Sequence, residues 1–267
     1  MRKSRIKQVI IGSDLGNFDS IASALGSSYE FRGIRYYAGG GGGAINVFPT
    51  PWPIYGPGTQ TLMSIYPDLR ELLAGQLDDQ IRDMIAGAPP GSMLNAWHEV
   101  LSLTYTPKYL TPTNVYLMHR KMNTLCRGSQ VTYGCLLGGG DLVRLMRYVP
   151  PNLGYYGLDL YGNLGIRKHP RWEHPFERWI QFRNLAMTKV RSGHPSLVIG
   201  ETNCPDEALR PAWFNLVATW LNDYSPRKTS LFTFWADPGY GLSGPWDPHD
   251  NATINALRGI CSRYAGN

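Results

Sequence analysis

The 267-residue sequence lacks a CxxC pair and any long apolar run, and these absences exclude several classes of protein. Its four cysteines, at positions 126, 135, 204 and 261, are too far apart for a zinc ribbon or a dithiol redox motif. Such spacing is typical of buried free thiols, and it also allows one disulfide bond. No apolar run approaches the ~18 residues of a membrane span. We therefore expect no contact with a membrane.

The sequence also lacks a basic stripe along any predicted helix. Its net charge is +6, but the positive side chains are scattered apart from the opening segment MRKSRIK. This pattern argues against a nucleic-acid partner. The opening segment leads into a short apolar run with no small-residue cleavage site after it. We interpret it as a charged lead-in to a strand and not as a signal peptide; earlier removal of a signal, or excision from a larger chain, stays open.

The glycine run at 39–43 lacks the features of a phosphate-binding loop. It has no Gly-Lys-Ser/Thr ending and does not open a helix after a GxGxxG pattern. We interpret it as part of a flexible loop at the rim of a cleft. The aromatic residues around it, Trp52 among them, either offer a sugar-binding surface or pack the loop onto the rest of the protein.

No metal site or other cofactor is predicted. His169 and His174 flank Glu173 in the segment HPRWEHP, but their spacing matches no common set of metal ligands.

What the sequence does contain is a regular alternation of short apolar runs and amphipathic stretches. With 43% hydrophobic residues it can bury a large core, and its 20 prolines, 30 glycines and 12% aromatic residues indicate many shaped loops. Strands are predicted at 8–16, 31–39, 61–67, 92–99, 131–139, 155–163, 196–203 and 230–237. Helices are predicted at 18–26, 74–89, 111–128, 141–149, 175–193, 206–223 and 251–265. A long loop, 39–60, replaces a helix in the second repeat of this pattern.

This alternation predicts an α/β fold with a parallel sheet. Eight strands in a chain close to the ~250 residues typical of the fold predict a (β/α)8 TIM barrel. We find no internal repeat and no linker, so residues 1–267 are expected to form a single catalytic barrel domain.

In such barrels, active sites lie at the carboxyl ends of the strands. Two predicted strand ends carry glutamates, Glu99 after the fourth strand and Glu201 after the seventh. A pair of carboxyl groups on either side of a glycosidic bond is what glycoside hydrolysis needs. Aromatic side chains suit sugars because the apolar faces of sugar rings stack on them. Other strand-end or strand residues that could line the same cleft are Trp97, His98, Tyr133, Asp159, Tyr161 and Trp235.

The motifs at these positions resemble those of glycoside hydrolase family 26, in the clan of retaining (β/α)8 glycosidases. Most of that clan has Asn before the acid/base glutamate, whereas family 26 has His, as in WHE at 97–99. Further segments are similar in order and spacing: AGQLDDQI (74–81), GLDLYGN (157–163), VIGETN (198–203) and FTFWAD (232–237). The resemblance extends over residues 8–265. It departs from the family in overall length and in the segment 36–53.

The resemblance implies catalytic roles for the two glutamates. Glu201 would be the nucleophile and Glu99 the acid/base, in a double displacement that retains the anomeric configuration. Retention needs the two carboxyl groups ~5–5.5 Å apart. Charges that close repel, so one pKa rises, and we expect the raised pKa at Glu99, beside Trp97 and His98.

The remaining candidates would bind substrate or support the glutamates. Tyr161 would hydrogen-bond to Glu201 and keep it ionised, and Trp235 would stack on the sugar at the cleavage point. His98 would position the substrate or the acid, or else be a satisfied interior histidine. Trp97 and Tyr133 complete the predicted substrate-binding set, and Asp159 is expected to support the barrel interior or Tyr161.

The predicted function is therefore a retaining glycoside hydrolase acting on a polysaccharide or oligosaccharide with a mannan- or xylan-type backbone. One alternative is a glycosidase of the same clan that cleaves a microbial cell-wall or capsular glycan, as a module of a larger or phage-borne protein. A second is a non-catalytic carbohydrate-binding barrel, against which the presence of both glutamates argues. We expect a monomer, and the substrate type suggests an extracellular location.

Overall fold

A computed structural model gives eight strands and eight helices in the part of the chain that it describes, and most of the strands are followed by a helix. The structure describes residues 8–29, 32–38, 44–54, 59–100, 110–138, 140–161, 175–191, 196–204, 206–224, 229–234 and 250–264. The strands are β1 (Gln8–Asp14), β2 (Gly33–Tyr37), β3 (Gln60–Ile65), β4 (Met93–Ala96), β5 (Thr132–Leu137), β6 (Tyr155–Asp159), β7 (Ser196–Glu201) and β8 (Thr229–Phe234). The helices are α1 (Leu15–Leu25), α2 (Leu69–Ala74), α3 (Asp78–Ala86), α4 (Pro112–Leu125), α5 (Leu142–Arg147), α6 (Pro175–Met187), α7 (Arg210–Tyr224) and α8 (Asn251–Tyr264).

The chain divides into two compact units. The first unit comprises Met1–Arg35, Leu160–Arg183 and Ser196–Asn267, and the second comprises Tyr36–Asp159 and Asn184–Pro195.

The first unit contains a parallel sheet in the strand order β7-β8-β1-β2. Its register sets Val198 opposite Leu231, Ile10 opposite Leu231 on the other edge of β8, and Gly12 opposite Gly33. At the end of β7, the amide of Leu160 donates to the carbonyl of Glu201 at 2.9 Å. The sheet therefore holds the carboxyl end of β7 by backbone hydrogen bonds up to Glu201.

The second unit contains a parallel sheet in the strand order β3-β4-β5-β6. Leu62 lies opposite Met93, Met93 opposite Thr132, and Gly134 opposite Tyr155. Parallel pairing in sequence order follows from the βα alternation, because each helix returns the chain to the same end of the sheet. The prediction of parallel βα units is confirmed in both sheets.

The strands of the second unit are buried along almost their whole length. Every residue of β4 and β6 is buried, as is all of β3 and β5 except the first residue. This pattern is expected for parallel strands covered on both faces. Polar side chains within them must therefore pair with one another, as Ser64 does by donating to Asn95 at 2.6 Å on the adjacent strand.

Local capping signals fix the helix ends. Thr111 accepts a hydrogen bond from the amide of Asn114, and Pro112 occupies the first turn of α4, as its sequence predicts. Asp68 caps α2 by accepting from the amides of Arg70 and Glu71. Gly75 ends α2 with φ 83°, a left-handed conformation that glycine adopts without a steric cost.

Most element boundaries differ from the predicted ones by a few residues, and the third repeat differs in more than length. β4 ends at Ala96 and not at residue 99. α2 was not predicted, and the helix expected at 74–89 is the shorter α3, because Gly75 separates the two. Within 44–54, the described part of the predicted long loop has neither helix nor strand.

That loop segment packs against the second unit. Trp52 is only 1% exposed, and its backbone lies near Gly87 at the end of α3. Asn46 donates to Glu71 at 2.8 Å and accepts from the amide of Asp68 at 2.7 Å. Trp52 therefore packs the loop onto the protein and does not form an exposed sugar-binding surface.

All four cysteines are buried free thiols. Burial raises the pKa of Cys126 and of Cys135 to about 12, and it also raises the pKa of Cys204. The thiols are therefore protonated near neutral pH. The described helices include none that is long and apolar enough to cross a bilayer.

A buried imidazole is part of the core between α4 and β5. His119 is 1% exposed, and its Nδ1 lies 2.7 Å from the hydroxyl of Tyr133. Burial lowers the pKa of His119 to about 3 from its ordinary value of 6.5, because the charged form loses its hydration. The native protein therefore holds a neutral histidine at any pH above about 3.

Acid should destabilise the fold through His119. Below pH 6.5 the unfolded chain binds a proton at this histidine that the native protein does not bind. The free energy of unfolding should then fall by ~1.4 kcal/mol per pH unit, or ~2 kcal/mol between pH 7 and pH 5. We expect urea unfolding to show that His119→Asn, which cannot titrate, is less stable than the parent at pH 7 by an amount that shrinks by ~2 kcal/mol at pH 5. A difference that stays constant with pH would contradict this assignment.

Candidate active site

The chain turns sharply where β4 ends. Trp97 and Glu99 have φ of 56° and 48°, left-handed values that residues with a side chain seldom adopt. Such strain persists where surrounding contacts fix the backbone, and it concentrates at functional sites. The turn explains why β4 ends at Ala96, since left-handed residues cannot continue a strand.

Contacts of Trp97 hold this turn. Its amide donates to the carbonyl of Ile65 at 2.9 Å, and its indole Nε1 donates to the carbonyl of Pro67 at 3.0 Å. The indole also meets the ring of Tyr66 edge-on, with 5.3 Å between centroids. Trp97 therefore anchors the segment 97–99 to the end of β3.

His98 is paired with an acidic residue from the end of β6. Its Nδ1 lies 3.5 Å from Oδ2 of Asp159, whose side chain is completely buried. The imidazole also meets the ring of Tyr37 edge-on at 5.4 Å. A carboxylate at this distance favours an imidazole that carries its proton on Nδ1, which fixes the orientation of the ring. Asp159 therefore supports His98.

Glu99 extends over the backbone that follows β5. Its carboxyl group and Cγ lie so close to Gly138 that a Cβ at that position would overlap them. Only glycine leaves this space open.

The side chains near the end of β4 form one cluster, which consists of His98, Glu99 and Asp159. Each offers one ligand atom, and these atoms lie within 4.8 Å of one another. Such a set can share protons, and imidazole with carboxylates is also a donor set for divalent metals. In this structure His98 and Asp159 contact each other directly.

In the first unit, Glu201 ends β7 and is held by two side chains. The hydroxyl of Tyr161 donates to its Oε2 at 2.6 Å, and Nε of Arg35 lies 3.9 Å from its Oε1. Glu201 is 7% exposed and Arg35 is 1% exposed. A nearby positive charge and a hydrogen-bond donor both favour an ionised carboxylate. The predicted hydrogen bond from Tyr161 to Glu201 is confirmed.

The backbone just after Glu201 is also fixed. Thr202 donates through its hydroxyl to the carbonyl of Leu160, and it accepts from the indole of Trp213 at 2.8 Å. Asn203 accepts from Nε of Arg210 at 3.1 Å. The end of β7 is thus tied to α7, and Glu201 projects from a rigid support.

One predicted substrate-binding residue is wrong. Tyr133 is 2% exposed, and its hydroxyl pairs with His119 on α4. It is the second residue of β5, far from the carboxyl end of that strand, so it belongs to the core. Trp235 and the group His169, Glu173 and His174 lie outside the described residues.

Arg35 and Gly138 were not predicted as site residues. A signal for Arg35 was present, because an arginine inside an apolar strand must be paired when it is buried. Its partner could not be named, since that depends on which face of β2 carries the side chain. Gly138 gave no signal of its own within the glycines that follow β5.

No protein-family model matches the chain, and no curated protein matches it in sequence. Solved structures do match in fold. Gas2p of Saccharomyces cerevisiae, in complex with laminaritetraose and laminaripentaose, is 13% identical with a TM-score of 0.55, covering 100% of this chain and 66% of that one. Another Gas2 structure is covered to 64%, so the chain spans less than two thirds of these proteins.

Two glucanases are similar to the same degree. A GH5 xyloglucan-specific endo-beta-1,4-glucanase from a metagenomic library, in complex with cellotriose, is 12% identical with a TM-score of 0.53, and the match covers 96% of this chain and 97% of that one. A tri-modular GH5 endo-beta-1,4-glucanase from Bacillus licheniformis is 13% identical with a TM-score of 0.52, over 95% and 60%. The family 26 resemblance has no counterpart among these structures and stays a prediction. At such identities the likeness establishes the fold alone, an arrangement of parallel strands and helices that the chain shares with these structures.

Proposed function

We propose that the protein is a retaining glycoside hydrolase with Glu201 as nucleophile and Glu99 as acid/base. The observation that carries the proposal is the setting of Glu201. A carboxylate at a strand end, with a tyrosine hydroxyl on one oxygen and an arginine near the other, is ionised, oriented and ready to attack. The turn at 97–99 supports the second role, because strained backbone of this kind is kept where a side chain must be aimed.

We further propose that residues 1–267 form one (β/α)8 barrel in a single domain, as the sequence predicts. The order of the strands from β1 to β8 supports this, as does the likeness to glycosidase structures. All carboxyl ends of a parallel barrel lie on one side. Glu99 after β4 and Glu201 in β7 would then act on the same glycosidic bond.

The proposed reaction has two steps. In the first, a carboxylate oxygen of Glu201 bonds to the anomeric carbon as the bond from that carbon to the glycosidic oxygen breaks, and Glu99 gives its proton to the leaving oxygen. In the second, Glu99 takes a proton from water while the water oxygen bonds to the anomeric carbon. Glu201 leaves as a carboxylate, so both groups return to their starting states.

The chain's own residues would prepare these steps. Arg35 and Tyr161 hold Glu201 as an anion until the anomeric carbon is presented. His98, held by Asp159, would offer its other ring nitrogen to the sugar or to Glu99. Trp97 would form a wall of the cleft, and Trp235 is kept as the proposed stacking residue.

A β-glycan is the proposed substrate class. Two of the similar structures hold laminaritetraose and laminaripentaose, or cellotriose, whereas the family 26 resemblance implies mannan or xylan. A panel of laminarin, barley β-glucan, xyloglucan, mannan and xylan, with the products analysed by mass, separates these backbones. It also distinguishes the alternative substrate, a microbial cell-wall or capsular glycan, because an enzyme specific for such a glycan would leave all five polymers intact. The glycan substrate is consistent with action outside the cell.

Glu201 is predicted to form a covalent glycosyl adduct. A 2-fluoro-glycoside of the active backbone should label the protein in the peptide that contains Glu201. Glu201→Ala should lower turnover by on the order of 10⁴-fold or more, because the nucleophile is gone. Glu207→Ala, which removes an exposed glutamate, is the matched control. Normal turnover by Glu201→Ala, or labelling of another residue, would contradict the assignment of the nucleophile. A protein that binds the glycan without being labelled or cleaving it would be a non-catalytic binding protein.

Loss of the Glu99 carboxyl group is predicted to slow the reaction most on substrates with a poor leaving group. Glu99→Ala should lose ~10²–10⁴-fold on a natural glycan, as is typical for loss of acid/base catalysis. It should still form the glycosyl-enzyme rapidly from a 2,4-dinitrophenyl glycoside, which leaves without a proton. Azide should restore turnover and yield a glycosyl azide, because azide needs no base. Equal losses on both substrates would contradict the acid/base role; Glu177→Ala is the control at an exposed glutamate.

Tyr161→Phe should weaken catalysis without changing the fold. A hydrogen bond to a charged group is worth about 1.5–3 kcal/mol, so kcat/KM should fall by ~10–100-fold. Tyr156→Phe removes a different hydroxyl, which donates to the carbonyl of Pro150, and should leave kcat/KM unchanged. If both variants lost activity equally, Tyr161 would have no special relation to Glu201.

A further inference from the structure

Gly138 is the first residue after β5, and the space that a side chain would fill there is already occupied. A Cβ at Gly138 would overlap Oε1, Cδ and Cγ of Glu99. Gly138 is not among the glycines with positive φ, so alanine fits its backbone without conformational strain. The requirement for glycine at this position therefore comes from Glu99.

The main chain that carries Glu99 cannot move to relieve such an overlap easily. Trp97 is tied to β3 by its amide and by its indole, and His98 is paired with buried Asp159. Glu99 can yield by rotation about its side-chain bonds, because its Cγ, Cδ and Oε1 are the atoms that a Cβ at position 138 would meet. A side chain at position 138 would therefore turn the carboxyl group away while leaving the surrounding fold in place.

Other glycines provide the contrast. A Cβ at Gly134 would meet the ring and the backbone carbonyl of Tyr155, which are rigid parts of the core. A Cβ at Gly259, an exposed position in α8, would meet nothing within 4 Å. Of these three glycines, Gly138 alone faces the movable end of a side chain.

We propose that Gly138 is a positioning residue for the acid/base: its missing side chain leaves the space in which the Glu99 carboxyl group takes its catalytic orientation. The inference rests on the proposed function of Glu99. A side chain at position 138 would displace Glu99 and should impair proton transfer to the leaving oxygen and from water. Glu201 is held by Tyr161 and Arg35 instead. Formation of the bond between Glu201 and the anomeric carbon should not be impaired.

The test compares Gly138→Ala with the parent on phenyl and 2,4-dinitrophenyl β-cellobiosides and β-laminaribiosides. The phenyl glycosides need a proton to leave, and the dinitrophenyl glycosides do not. We expect Gly138→Ala to lose at least ~10-fold in kcat/KM on the phenyl glycosides, a part of the ~10²–10⁴-fold due to acid/base catalysis. The burst of dinitrophenolate should keep its rate within about twofold, and azide should restore steady-state turnover.

Two further variants separate positioning from general damage. Gly259→Ala makes the same chemical change in open space and should match the parent in every readout. Adding Gly138→Ala to Glu99→Ala should cost nothing beyond the loss due to Glu99→Ala alone, because a residue that acts only through Glu99 has no effect once that side chain is gone. The melting temperature of Gly138→Ala should stay within about 3 °C of the parent.

The outcomes distinguish the two claims. If Glu99→Ala itself shows no dependence on the leaving group, the proposed function fails, and the inference fails with it. If Glu99→Ala behaves as proposed but Gly138→Ala keeps full activity on the phenyl glycosides, the inference alone is overturned. Equal loss on both kinds of glycoside, an additive double variant, or a larger fall in melting temperature would also overturn it.

Discussion

Parallel strand pairing is the constraint on which the rest of the structure depends. Because neighbouring strands run in the same direction, their carboxyl ends meet at one edge of each sheet. The strands of the second unit are buried along nearly their whole length, so the strand ends are where polar side chains first escape the apolar core. In the first unit this edge carries Glu201, and in the second it carries His98, Glu99 and Asp159. The side chains that could act on a substrate lie at these edges because the strands themselves are buried.

Both clusters contain charges that have little access to water. A buried charge is costly unless an opposite charge or a hydrogen bond compensates it. Glu201 has Arg35 and Tyr161 for this purpose, and Asp159 has His98. The two glutamates nevertheless differ in their support: Glu201 stands on a strand tied to α7, whereas Glu99 follows a strained turn anchored through Trp97. In the proposed reaction Glu201 bonds to carbon, whereas Glu99 only moves protons.

Much of the fold and part of the site could be predicted from sequence, for physical reasons that also explain the failures. Apolar runs and capping residues such as Thr111 are local signals, and the hydrogen bond from Tyr161 to Glu201 was implied by the resemblance of their segments to family 26. Tyr133 was misassigned because residue type does not tell which face of a strand, or what depth, a side chain occupies. The end of β4 was misplaced because left-handed φ values at Trp97 and Glu99 depend on tertiary contacts. Gly138 could not be predicted because its importance depends on a tertiary contact with Glu99, which follows a different strand.

The four buried thiols have a consequence for how the protein's motions can be observed. A thiol reacts as its thiolate, and burial with a raised pKa at Cys126, Cys135 and Cys204 removes both access and thiolate. Alkylating reagents can then reach these positions only when the structure around them opens. Cys126 and Cys135 lie in the second unit, and Cys204 and Cys261 lie in the first. The native chain thus carries two intrinsic reporters in each unit, whose labelling rates give the opening free energies of the two units independently.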